Sequence, residues 1–160
     1  MTNKKYILLD GDYAFDYKGR HLRRIKYLRD VGDRVKKGDL GGWLEDERNL
    51  EHGGDCVVLG NAWVYDHAVV RQNAQVWADA VVRQDAVVDE DARVFGHADV
   101  RGDCHVHGKA QVSGYAVIDS VANLSGEVFF TGDAWASEGY YKGYYKGYGY
   151  YDRDNKLHDD

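Results

Sequence analysis

Residues 60–77 read GNAWVY, DHAVVR, QNAQVW, three six-residue units laid end to end. The pattern extends in both directions without an insertion, from Gly54 to Ser137, and makes fourteen units. The third place of each unit is small: Ala in most, Cys56 and Cys104 in two, Val128 in one. The fifth place is apolar, Val from Val58 through Val112, then Ile118, Leu124, Phe130 and Ala136. A fixed short period of this kind is the signature of a solenoid.

Places three and five differ by two, so in a strand they point to the same side. The β-branched residue suits a pleated strand and the small one a crowded corner. The first two places supply the bend. Eight units begin with Gly and eight carry Asn or Asp second, residues that tolerate a left-handed backbone. Each unit is therefore a short strand plus a turn, and stacked coils bury a column of Val and a column of Ala. A helix is excluded, because six-residue spacing gives no continuous stripe at a period of 3.6. The fold class expected is all-β, a single-stranded parallel β-helix with a small N-terminal β cap.

Alternating small and aliphatic places in a six-residue repeat resemble the left-handed, triangular β-helix of the hexapeptide-repeat proteins, in which three units make one coil. The left hand is implied by that resemblance, since ordinary parallel crossovers are right-handed. Residues 36–68, KKGDLGGWLEDERNLEHGGDCVVLGNAWVYDHA, are similar to the segment that opens the YdcK-type transferase-like proteins of bacteria and related phage proteins. The GGW followed by GDC and WVYD carries this likeness, which covers about residues 5–137. That family's biochemical function is unassigned.

The 160 residues suffice for one domain with a real core. No apolar run is long enough to span a membrane and MTNKKYILLD is not a signal peptide, so a cytoplasmic location, in a bacterial host, is expected. Charge is uneven. Residues 1–53 hold 12 Lys and Arg against 10 Asp and Glu, a net of +2, whereas residues 54–137 hold 5 against 12, a net of −7. The overall −6 disfavours general nucleic-acid binding, and the acidic repeat region suits a basic partner or simple solubility. Cys56 and Cys104 occupy core places on different faces, more than two coils apart. Coils stack at roughly 4.8 Å, and a disulfide needs Cα atoms within about 7 Å. Both are expected as free, buried thiols. No cofactor and no metal set is expected.

Along the chain, residues 1–43 read as a β cap, 44–137 as the β-helix with strict units from 54, and 138–160 as a Tyr- and Gly-rich tail. YILL reads as a strand, and YAFDY and HLRRIKYL flank the turn Lys18-Gly19-Arg20 as a hairpin, with a short helix over HLRRIKYLRD as the alternative. Trp43 is expected to plug the first coil. Leu44 and Leu50 fall on the third place when the repeat is counted backward. The enlargement from Val112 to Phe130 is expected to close the far end. The tail GYYKGYYKGYGYY, residues 139–151, either packs on the solenoid or offers an adhesive Tyr surface.

Places four and six point outward. On face one Leu59, Trp77 and Phe95 form an apolar row, which marks either an interaction site or a surface that the cap or tail covers. With Trp63 and Tyr65 of face two and Tyr141 and Tyr145 of the tail, they are the candidate protein-interface residues. On face three, Asp89, His107 and Ser125 are one coil apart, with His105 beside His107. An Asp–His–Ser ladder invites a catalytic reading, but a flat wall supplies neither pocket nor oxyanion donors. Cys104 points inward, so it forms no chelating trio with the two His. Three readings follow. The first is a non-catalytic protein-binding β-helix, phage- or prophage-encoded, that inhibits a host defence complex. The second, implied by the resemblance, is an acyltransferase with His105 or His107 as base, although no loop interrupts the repeat. The third is a self-assembling structural solenoid. The partner expected is a host protein or a second copy of the chain, the resembled enzymes being commonly trimers.

Overall fold

The computed structural model of the chain describes residues 4–15, 18–141, 143–145, 148–151, 154 and 156–158. Beyond the N-terminal segment, short strands recur every six residues, from Val57–Val58 to Phe129–Phe130. Through Val117–Ile118 each pairs in parallel with the strand eighteen residues on: Val57 faces Gln75, Trp63 faces Val81 and Val69 faces Val87. The result is a parallel β-helix with three walls, the three faces that the resemblance to the hexapeptide-repeat proteins implied. The third- and fifth-place side chains fill the interior, with Ala62, Val64, Ala68 and Val70 fully buried. No helix among the described residues is long and apolar enough to cross a membrane.

The backbone turns at the first place of every unit, and there alone. All fourteen first places have positive φ: eight are Gly, and Asp66, Gln72, Ala78, Gln84, Glu90 and Ser120 are not. The second-place Asn and Asp are therefore not the left-handed residues that the composition led us to expect. Four of the six non-glycine corners pair upward through their side chains. Asp66 accepts from the Gln84 amide N–H and Gln84 from that of Gly102, while Gln72 accepts from Glu90 and Glu90 from Gly108. Each corner side chain thus holds the corner of the coil above it.

Three strands precede the coils: β1 (Tyr6–Phe15), β2 (His21–Tyr27) and β3 (Leu40–Leu44). β1 and β2 form an antiparallel hairpin, β2 pairs antiparallel with β3, and β3 joins the solenoid in parallel at Trp63–Val64. HLRRIKY is thus strand, not helix. The GGW sequence has a steric reason. β3 runs so close to the first coil that a Cβ on Gly41 would lie 2.6 Å from the Val58 carbonyl oxygen, and one on Gly42 2.6 Å from that of Ala62. Leu44 faces Val64 and Leu50 bridges Val70, so both sit under the fifth-place column rather than the third. The first coil is two residues longer than the rest, the excess lying between Leu50 and Val58. The side with the 3-10 turn at Glu47–Asn49, which Asp46 and Asn49 close as a capping box, keeps the six-residue spacing from Leu44 to Leu50. Trp43 does not plug the coil. It faces outward beside Trp63, and Tyr6, Ile25 and Tyr27 fill the end instead.

At the other end the stacking continues past Ser137. Tyr140–Tyr141 pairs with Asn123–Leu124, Tyr144–Tyr145 with Phe129–Phe130, and Tyr148–Tyr151 with Asp133–Ala136. Phe129 faces Tyr144, fifteen residues on rather than eighteen, because the four-residue tail repeat makes shorter sides. Tyr141, Tyr145 and Tyr151 turn inward around Phe130, with Tyr145 stacked on it at 4.5 Å and the other two edge-on. As interface candidates Tyr141 and Tyr145 are thus corrected. Alternation in a strand turns them into the core, where they close the last coils.

Candidate functional site

Face two is where the N-terminal hairpin leans on the solenoid. Leu22, Trp43 and Tyr65 form a small buried cluster outside the wall, with Ala14, Trp63 and Val81 packed against it. Arg20 of the hairpin bonds the Asp66 carboxylate and lies over the Tyr65 ring. Tyr65 is therefore buried under the chain's own hairpin, not presented to a partner. Beyond Leu22 the cover ends. A cleft of about 490 Å³ opens between Ala14 and the wall, lined by Trp43, Trp63, Val81, Asn61 and Asp79. Trp43 and Trp63 are in register on adjacent layers and make its aromatic side. Asn61 and Asp79, second-place residues of the neighbouring corner, supply the polar edge. The register of the coils puts these groups together: counting by eighteen links Trp63 to Val81 and Asn61 to Asp79, and the longer first coil brings Trp43 under Trp63.

The apolar row of face one is largely satisfied from within. Leu59 is half-buried against the core. Trp77 and Phe95 stack at 4.4 Å with 6° between planes, and Arg34 lies over the other side of Trp77 with its Cζ 4.5 Å from the ring. The turn that carries Arg34 is pinned by the Val31–Val35 bridge, whose two valines join the core. A second, polar cleft of about 340 Å³ lies beside this turn, lined among others by Asp33, Arg34, Asp55, Asp91 and Arg93.

On face three the neighbours differ from the expected ladder. A sixth-place side chain meets the fourth place one coil up, a diagonal of sixteen residues. Asp89, only 4% exposed, accepts from His105 Nε2 at 2.7 Å and from Arg71 Nη2 at 2.8 Å. His107 Nε2 donates to the Asn123 side chain at 2.8 Å, and the two imidazoles stack at 4.0 Å. His107 is thus joined to neither Asp89 nor Ser125 in the way the column suggested. Arg71 neutralises the buried carboxylate and His105 adds a second donor, an arrangement that fixes side chains along a wall. Among the described residues no three His, Cys, Asp or Glu stand where they could hold a metal ion.

The sequence pointed to Trp63 but missed the rest of the cleft. Asn61 and Asp79 read as turn residues, and Ala14 as part of a hairpin. Trp43 escaped the ladder because it lies twenty residues before Trp63, not eighteen. With this geometry in hand, the molecule is a parallel β-helix with an aromatic cleft under its N-terminal hairpin. Compared with known proteins, the chain matches no family model and no curated protein.

Proposed function

We propose that the chain is a non-catalytic, protein-binding β-helix that docks a partner at the Trp43–Trp63 cleft. The observation that carries this reading is the cleft itself. The hairpin covers Tyr65 and Arg34 covers Trp77, and the exposed rings of Tyr115, Phe129, Trp135 and Tyr140 line neither of the two clefts described above. Here, by contrast, two Trp side chains border an open concavity with a carboxylate and an amide at its edge. Tryptophan at the centre of a partly desolvated depression, rimmed by polar groups, is the composition of an interface anchor. The setting we propose for it is a bacterial cytoplasm, with the chain phage- or prophage-encoded, and inhibition of a host defence complex is the role that fits such a setting.

The test is capture from bacterial lysate followed by reconstitution with the purified partner. Wild type is compared with Trp63→Glu, which puts a charge in the cleft, and with His107→Ala on face three. Circular dichroism first establishes that both variants fold. A partner held by wild type and by His107→Ala but lost with Trp63→Glu supports the proposal. A partner retained by Trp63→Glu sinks the assignment of the cleft. Release of free CoA from acetyl-CoA with an amine or amino-sugar acceptor, abolished by His105→Ala or His107→Ala, would replace this reading with the acyltransferase one.

A further inference from the structure

The chain already docks onto its own solenoid in a recurring way. Three guanidinium groups from the N-terminal segment lie over outward rings: Arg20 over Tyr65 at 5.5 Å from the ring centroid, Arg24 over Trp43 at 4.4 Å and Arg34 over Trp77 at 4.5 Å. Two of them reach an oxygen on the same wall as well, Arg20 the Asp66 carboxylate and Arg34 the Gln75 amide. The unit of recognition is a planar cation on a ring with an oxygen acceptor beside it.

Trp63 has the same surroundings. It stands one layer above Trp43, whose ring carries Arg24, and it shares the cleft with the Asp79 carboxylate. Among the described residues no guanidinium lies over Trp63. The Asp79 side chain is 52% exposed, and its ion-pair neighbour, His97 Nε2, is 3.8 Å away, beyond hydrogen-bond distance. The repeat region from 54 to 137, which supplies Asn61, Trp63, Asp79 and Val81 to the cleft, carries a net charge of −7, against +2 for residues 1–53, which supply Ala14 and Trp43. That field draws a cationic segment and repels nucleic acid.

Resting on the reading of the cleft as a docking site, we propose that its occupant is an arginine side chain from a basic segment of the partner. The guanidinium stacks on the Trp63 ring and donates to Asp79, repeating the contacts the chain makes with its own Arg20 and Arg34. Arginine is preferred to lysine because a planar, weakly hydrated cation stacks on a ring and keeps its in-plane N–H groups for the carboxylate. A neutral ligand such as a saccharide would leave the charge of Asp79 and the surrounding field without use.

The probe is an acetylated, amidated peptide of arginines spaced by glycine. It is compared with the same peptide carrying lysine, and with one carrying citrulline, the neutral isostere of arginine. Binding is followed by NMR through the indole N–H signals of the four Trp, assigned by substitution. The arginine peptide is expected to shift the Trp63 signal saturably, the lysine peptide more weakly and the citrulline peptide not at all. Trp63→Ala should weaken binding at least about fivefold, as loss of a partly desolvated cation–π contact does. Because Trp63 also packs against the hairpin, Asp79→Asn is the second variant. It is exposed, leaves the packing untouched and should weaken binding about threefold, the scale of an exposed ion pair. That difference should fade as salt is raised.

Equal binding of arginine and citrulline peptides overturns the proposal, as does a Trp63 signal unmoved at millimolar arginine peptide. If the captured partner still depends on Trp63 in either case, the docking site stands and only the occupant's chemistry fails. If capture is also indifferent to Trp63, both fail together.

Discussion

Two third places carry Cys where most carry Ala, and the interior treats them differently. Cys56 sits at the bottom of the stack, where the buried ammonium of Lys5 donates to its carbonyl oxygen at 2.6 Å and approaches its Sγ at 3.1 Å. Burial pushes the Lys5 amine below the usual lysine range and the Cys56 thiol above the usual thiol range. Cys104 lies in the middle of the column, and burial, with a smaller push from the Asp119 and Asp99 carboxylates, raises its pKa from 9.0 to about 12. A thiol that stays protonated when folded but ionises when unfolded stabilises the fold fully below pH 9, and that contribution is lost as pH rises toward 12. We expect Cys104→Ala to change stability little at pH 7, since Ala occupies the same place in the adjoining coils. It should also flatten the alkaline loss between pH 9 and 11. Denaturant unfolding of both proteins across that range checks this, and parallel pH profiles would show that the thiol is not protected as its burial implies.

The corner is the element on which the stack depends, and the chain builds it in two ways. One uses Gly, which takes positive φ without strain. The other uses a longer side chain that accepts a hydrogen bond from the corner above, as Gln84 does from Gly102 at 2.7 Å. Ala78, at φ 59°, has neither advantage. Ala78→Gly removes a left-handed strain of about 1 kcal/mol and should stabilise by roughly that amount. Gln84→Gly relieves the same strain but gives up a hydrogen bond worth about 1 kcal/mol, so its net effect should lie near zero. Thermal melting of the two variants tests the difference, and Gln84→Gly stabilising as much as Ala78→Gly would mean that the side-chain bond contributes nothing. This division was not legible in the sequence. Gln72, Gln84 and Glu90 look like ordinary turn residues until the coils are stacked and the amide eighteen residues on comes into reach. The walls were legible, because Val at every fifth place fixes both the period and the inward side.

At the scale of the whole molecule, a parallel stack must end twice, and each end exposes a coil edge that no further coil covers. The chain closes both with long polar side chains on apolar bodies. At the N-terminal end the Tyr27 hydroxyl donates to the Val58 carbonyl at 2.9 Å and accepts from the Val58 amide at 3.0 Å, standing in for the missing peptide group. Tyr6 reaches the Leu50 carbonyl at 2.6 Å, and at the far end Tyr141 reaches that of Tyr151 at 2.8 Å. The sequence showed the rings but not this use of them. A Tyr in a strand such as HLRRIKY reads as a surface or core residue, and only the approach of β2 to the first coil aims its hydroxyl. The candidate site was half legible for the same reason: Trp63 follows from the repeat, while Trp43 and Ala14 depend on how the hairpin leans. Tyr27→Phe tests the closing role directly. It keeps the ring and its packing but leaves a buried N–H and a buried carbonyl unpartnered, at a loss of about 1–3 kcal/mol. Hydrogen exchange locates the effect. The Val58 amide should lose protection first, ahead of the Arg83 amide in the middle of the stack, which donates to the Val100 carbonyl. Unfolding at the wild-type denaturant concentration with an unchanged Val58 amide would show that the end needs no such substitute.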